Sequence, residues 1–287
     1  MKKNQVLKFG ALFVFGCLLT SCQEDDEGES ITESNATDVV TLAERDELEN
    51  AVNEINTIVG DNFGVDMGTG KSVGTEKSYD CITITADEDD NGNVEVIIDY
   101  GEECELRNGA IVSGSIIVTY AIADDEFEIV YTLQNYVYND IEVTGSAVAV
   151  YDYENEDANL GYTYSSNFNF AWPDGLTAID STTYTTETVF EENEENFFDF
   201  YTLVTGSGAT EFSNGDSYTF EITSPLRSEP GCRYYVSGII INTENTATTT
   251  LDYGDGTCDA IAIETDSDGN VTTVDLNRKE NNEDSES

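Results

Sequence analysis

The sharpest spacing of chemically capable side chains is Glu264-Thr-Asp-Ser-Asp-Gly-Asn-Val-Thr-Thr-Val-Asp275, which sets Glu264, Asp266, Asp268, Gly269 and Asp275 at the steps of a calcium-binding loop. Hard cations take such oxygen ligands, with glycine at the sharp turn. The flanks alternate as strands, not helices, and an aspartate stands where the closing glutamate is usual. A β-turn accounts for Asp-Gly-Asn as well as a metal does. The related run Asp87, Asp89, Asn91, Gly92 ends on Ile98 where its last ligand would stand. These residues assign no metal site and no cofactor.

Catalytic chemistry is narrowed by an absence. The chain contains no histidine, which removes Ser-His-Asp and Cys-His nucleophiles, histidine general bases and the usual zinc and iron sites. No glycine-rich loop opens a helix followed by lysine, so a phosphate cradle is unsupported. Carboxylate catalysis survives, because a glycosidase needs only two acids about 5 to 10 Å apart. With 59 Asp and Glu in the chain, no pair stands out and no catalytic residue is named.

The cysteines say more. An apolar run from Val6 to Leu19, flanked by Lys2, Lys3 and Lys8, is too short to span a bilayer and suits the core of a secretory signal. It ends in Leu19-Thr20-Ser21-Cys22, which resembles a bacterial lipobox. That resemblance makes Cys22 the acylated first residue of the mature protein and residues 1–21 a removed signal peptide. Cys17 falls within that segment. The acidic run after Cys22, Gln-Glu-Asp-Asp-Glu-Gly-Glu-Ser, reads as an extended tether. It also resembles the signal that sends Bacteroidota lipoproteins to the outer face of the outer membrane, which implies a lipid-anchored protein facing the exterior.

Four further cysteines remain, Cys81, Cys104, Cys232 and Cys258. An even number in an exported chain indicates disulfides. Three connectivities are open until the hairpins are considered. "CITITAD" folding back onto "NVEVIIDYG" brings Cys81 near Cys104, and "CRYYVSGIII" turning near Asn242 to Asn245 onto "TATTTLDYG" brings Cys232 near Cys258. Each bridge would add about 3 kcal/mol in the chain-entropy picture. The twice-written Asp-Tyr-Gly then marks strand ends, where Gly101 and Gly254 let the chain bend toward its cysteine.

These staples need elements to hold them. Residues 22–36 read as an acidic tether. Residues 37–78 hold one amphipathic helix, with Leu48, Val52, Ile55 and Val59 on one face and Gly60 as its stop, and then a glycine-rich linker. Residues 79–276 alternate with a period of two and form roughly a dozen strands; residues 277–287 are an acidic tail. Connections this short favour antiparallel neighbours. The expected fold is therefore mainly β, an antiparallel meander with one N-terminal amphipathic helix. An aromatic face must pack on something, which favours a two-layer, sandwich-like arrangement.

One such face carries Tyr162, Tyr164, Phe168, Phe170 and Trp172. Core packing is the expected role, and a stacking platform for glycans is the other. Exposure of Tyr162, Tyr164 and Trp172 separates the two.

The stretches "VIIDYGEEC", "RNGAIVSGSIIVTY", "TSPLRSEPGCRYYVSGIII" and "LDYGDGTCD" resemble exported Bacteroidota lipoproteins of unknown function that carry two Asp-Tyr/Phe-Gly motifs before cysteines. The likeness spans most of residues 79–276. It implies placement and a β-rich body and supplies no activity. Val112 stands two residues before Gly114 where that family often has arginine, so no role for the arginine carries over.

The expectation that follows is a cell-surface lipoprotein acting as a binding or structural module and not as an enzyme, with a glycan-active hydrolase using paired carboxylates as the alternative. Its partners would be the outer membrane, through the lipid anchor, and a glycan or protein ligand. A net charge of −48 repels nucleic acid.

Overall fold

A computed structural model of the chain describes residues 42–63, 81–88, 94–122, 126–153, 159–190 and 200–277. Cys22, its lipobox, the acidic tether and nearly all of the glycine-rich linker and acidic tail lie outside the described residues.

The single described helix, α1 (Leu42–Phe63), buries Leu48, Ala51, Ile55, Ile58 and Val59. Steps of three and four residues place these side chains along one stripe. The expected stop at Gly60 is not used. The helix continues to Phe63 and Gly60 is itself buried, so packing outweighs the roughly 1 kcal/mol that glycine costs a helix interior.

Thirteen strands follow: β1 (Thr83–Glu88), β2 (Val94–Glu105), β3 (Ile111–Ile122), β4 (Glu126–Tyr138), β5 (Ile141–Asp152), β6 (Leu160–Ala171) and β7 (Thr177–Phe190). The series continues through β8 (Phe200–Phe212), β9 (Ser217–Ser228), β10 (Ser237–Glu244), β11 (Ala247–Asp255), β12 (Ile261–Thr265) and β13 (Val271–Asp275). They form one antiparallel sheet in unbroken sequence order, the expected meander. Tight turns enforce that order. Asn139 and Asp140, with φ of 48° and 68°, join β4 to β5 in the left-handed conformation that a two-residue hairpin loop requires.

Layering differs from a pair of stacked sheets. All thirteen strands belong to the same sheet, and the second layer is α1, whose apolar stripe covers one face of it. We call that face inner. Beneath the helix lies a cluster that includes Ile98, Ile116, Tyr131, Val143, Phe168 and Phe170, all at most 1% exposed. A smaller cluster of Leu226, Ile240, Tyr253 and Ala262 holds the C-terminal strands.

Two hairpin details also differ from the sequence reading. β10 begins at Ser237, because the chain turns at Glu229–Cys232, where the Cys232 amide donates to the Glu229 carbonyl at 3.1 Å. The β10–β11 turn sits at Asn245–Thr246, since Glu244 pairs with Ala247. Asn245 takes φ of 53°, one of the few side chains suited to it.

Each Asp-Tyr-Gly forms a bulge. Gly101 and Gly254 have φ of 68° and 99°, and their amides donate to Asp99 Oδ1 and Asp252 Oδ1 at 2.8 and 2.9 Å. The tyrosine between them is buried in both copies. Each motif strand lies beside a Val-Ser-Gly: Gly101 of β2 pairs with Gly114 of β3, and Val236-Ser237-Gly238 leads into β10, where Gly238 sits at the register shift against β11. A side chain at Gly114 would run into the Asn135 carbonyl, and one at Gly238 into the Pro225 carbonyl. The backbones approach so closely there that only glycine fits.

Candidate functional site

The residues with the most distinctive environment lie where α1 meets the inner face. Asn56 of the helix accepts hydrogen bonds from the hydroxyls of Tyr131 on β4 and Tyr164 on β6, the latter at 3.0 Å, and the two hydroxyls lie 3.2 Å apart. Burial raises the pKa of both phenols, so they stay protonated and able to donate. This three-way contact fixes the helix laterally.

Toward the N-terminus of α1, Trp172 Nε1 donates to Glu47 Oε2 at 3.2 Å. Arg45 bonds Glu49 at 3.2 Å and lies 4.4 Å above the centre of the Tyr218 ring on β9. Near this contact Asp180 on β7 is 8% exposed and accepts from Thr210 Oγ1 of β8 at 2.8 Å. Loss of hydration pushes its carboxyl up to about 6, against the opposing hydrogen bond from Thr210, and the charge of Glu49 adds to the rise.

The aromatic stripe is core. Tyr164, Phe168, Phe170 and Trp172 are buried and Tyr162 is half-buried against the same cluster, so a glycan platform on this stripe is overturned for the helix-covered arrangement. The opposite, outer face carries hydroxyls and amides instead. Thr163 meets Thr185 at 3.4 Å, Ser165 meets Thr183 at 3.2 Å, and Asn167 donates to Ser181 at 2.6 Å.

Both bridges form as the hairpin reading has them. Cys81 pairs with Cys104 and Cys232 with Cys258, each with Cα atoms 5.5 Å apart, an ordinary disulfide span. Cys104 is buried, whereas Cys258 is exposed. Cys22 lies outside the described residues.

The calcium-loop spacing does not become a loop. Ile261 pairs with Asp275 and Thr265 with Val271, so Asp275 stands at the far end of a hairpin from Asp268. Asp266 is occupied by its own turn: its carboxylate accepts from the amides of Asp268 and Asn270 and from Asn270 Nδ2, at 2.8 to 2.9 Å. Those bonds hold its pKa below the ordinary value. No group of three metal-ligating side chains occurs among the described residues.

Two open depressions lie on the described surface. One, of about 240 Å³, lies on the outer face between Glu126, Asp152, Gly161 and Glu187. The other, of about 470 Å³, is bordered by Glu102, Glu103, Ser113, Asn139 and Asp140. Among the described residues no helix is long and apolar enough to cross a membrane.

Set against protein-family models, curated proteins and solved structures, the chain has no match.

Sequence reasoning missed Asp180, Asn56 and Glu47. Asp180 stands on the inner face in step with buried Ala178 and half-buried Thr182. In a chain this acidic, one more aspartate gives no signal.

Proposed function

We propose that the chain is exported, acylated at Cys22 and displayed on the exterior face of the outer membrane, where its sheet serves as a binding or structural module without catalysis. The observation that carries the module reading is the form of the exposed sheet: a broad hydroxyl-bearing face with shallow, open depressions. A hydrolase would hold two carboxylates across a cleft deep enough to enclose a sugar. Asp180, whose carboxyl burial pushes up to about 6, lies on the helix-covered inner face instead.

Export is supported by the cysteines. All four beyond Cys22 are joined in local bridges, which persist in oxidising compartments, and Cys22 is then left to the lipobox chemistry. A glycan or protein ligand would meet the outer face, where extended polymers can lie along rows of threonine and serine.

Labelling with a clickable palmitate analogue tests the anchor: the wild-type chain should take the label and Cys22→Ala should lose it. Protease treatment of intact cells should then remove the body. Label on Cys22→Ala, or protection from the protease, would overturn this placement. A glycan array and pull-down with the form lacking residues 1–22 tests the module, and turnover of an arrayed glycan would favour the hydrolase.

A further inference from the structure

Acidic groups gather at the helix–sheet junction more than its apolar packing requires. From α1, the charge of Glu49 acts on Asp180, and Glu47 is bonded to Trp172. Arg45 of the same helix is joined to Glu49 and lies over Tyr218 of β9. From the sheet, Thr210 of β8 donates to Asp180, Phe168 of β6 is its register neighbour, and the phenols of Tyr164 and Tyr184 share its field. Glu49, itself bonded to Arg45, is therefore the acidic group of α1 whose charge reaches Asp180.

We propose that α1 is a pH-dependent cover, seated on the aromatic inner face while Asp180 is protonated and more readily lifted once Asp180 ionises, which bares Tyr131, Tyr164, Phe168 and Trp172. A neutral carboxyl suits this dry site, where it keeps the bond from Thr210 and does not repel Glu49. An anion there is cut off from water, feels the charge of Glu49 in addition, and gains by regaining hydration, which lifting the helix supplies.

The sign follows from proton binding. With α1 seated, the carboxyl holds its proton up to about 6, whereas an exposed aspartate releases it near 3.8. Seating is therefore favoured below 3.8 and loses its advantage as pH rises through 6. A shift of this size weakens seating on the order of 100-fold. The buried stripe of Leu48, Ile55 and Val59 still holds the helix down in most molecules. The open form is a minor state that grows with pH.

Trp172, the sole tryptophan, sits in the contact and reports on it directly. The mature full chain is followed at pH 4.5 and 7.5 by hydrogen exchange, corrected for intrinsic rates, and by acrylamide quenching of Trp172. Protection of α1 should fall about 25-fold relative to β5 and β6, with a much smaller rise in quenching because the open form stays a minor state. Asp180→Asn should remove the dependence. Thr210→Val, which withdraws the bond favouring the anion, should move the midpoint to higher pH. Equal protection at both pH values, an unchanged response in Asp180→Asn, or an unmoved midpoint in Thr210→Val would each overturn the proposal.

Discussion

At the N-terminal end of the sheet Tyr100 is 1% exposed and Cys104 is wholly buried; at the C-terminal end Tyr253 is 5% exposed and Cys258 faces solvent. Both ends carry Asp-Tyr-Gly, a left-handed glycine, a Val-Ser-Gly neighbour and a bridge closing the outer hairpin. The local device is the same and the depth of core is not. α1 accounts for the difference, since its apolar stripe enlarges the cluster at one end while the other relies on strand-to-strand contacts and the Tyr235–Tyr253 edge contact. Motif sets the bend; cover sets how much apolar surface leaves water.

The contrast breaks most visibly with a large-to-small change under the helix. Phe168→Ala should cost about 3 to 5 kcal/mol, because a wholly buried ring is deleted and α1 cannot collapse into the space. Phe220→Ala, which removes a half-buried ring stacked on Tyr184, should cost roughly half as much. Urea midpoints at unchanged slope give both values. Equal costs would mean that the cover matters less than the sheet itself.

The bridges come next. They close loops of similar length, with separations of 23 and 26 residues, so each removal should cost about 3 kcal/mol from chain entropy. Replacing Cys81 and Cys104 by alanine should cost about 1 kcal/mol more than replacing Cys232 and Cys258, through loss of a buried sulfur. Each bridge has one exposed cysteine, Cys81 or Cys258, but its partner is wholly buried in the first and half-buried in the second. Under graded reductant Cys232–Cys258 should therefore open first by a modest margin, measured by mass spectrometry of alkylated peptides. Simultaneous opening would show that exposure does not distinguish the ends.

How much of this was legible follows the same division. Alternation exposed the strands, and the hairpin argument reached both disulfides, because each depends on residues close in sequence. The meander and its helix were foreseen, but the sandwich-like layering was not what formed: alternation reports that Phe168 and Phe170 face inward and not that a helix, in place of a second sheet, meets them. That Glu47 would meet Trp172, 125 residues away, has no local trace. Asp266 misled for the opposite reason. An aspartate closing a β-turn and one holding a calcium ion use the same residue types at nearly the same steps, and only the pairing of Ile261 with Asp275 separates them.

Stability against pH sharpens the comparison further. Asp180 has its pKa raised to about 6, so the folded chain binds more protons than the unfolded chain between 3.8 and 6. Folding is favoured below this window, and stability falls as pH rises through it. Asp180→Asn should therefore gain about 2 to 3 kcal/mol at pH 7.5 and flatten the slope between pH 4 and 6. The sensitivity belongs to the helix-covered region. If Asp180→Asn leaves the slope intact, the titration lies elsewhere.

The smallest effect asks whether the two ends share one device at all. Asp99 and Asp252 each accept one hydrogen bond, from the amide of Gly101 or Gly254. That bond lies within three residues and does not involve the cover. Asp99→Ala and Asp252→Ala should each cost about 1 kcal/mol, the net worth of one such bond, and the two costs should agree within experimental error despite the unequal cores. A markedly larger loss at Asp99 would mean that α1 stabilises the bulge as well as the cluster beneath it. Motif and cover would then act together, and the bend in β2 would depend on a helix that the bend in β11 lacks.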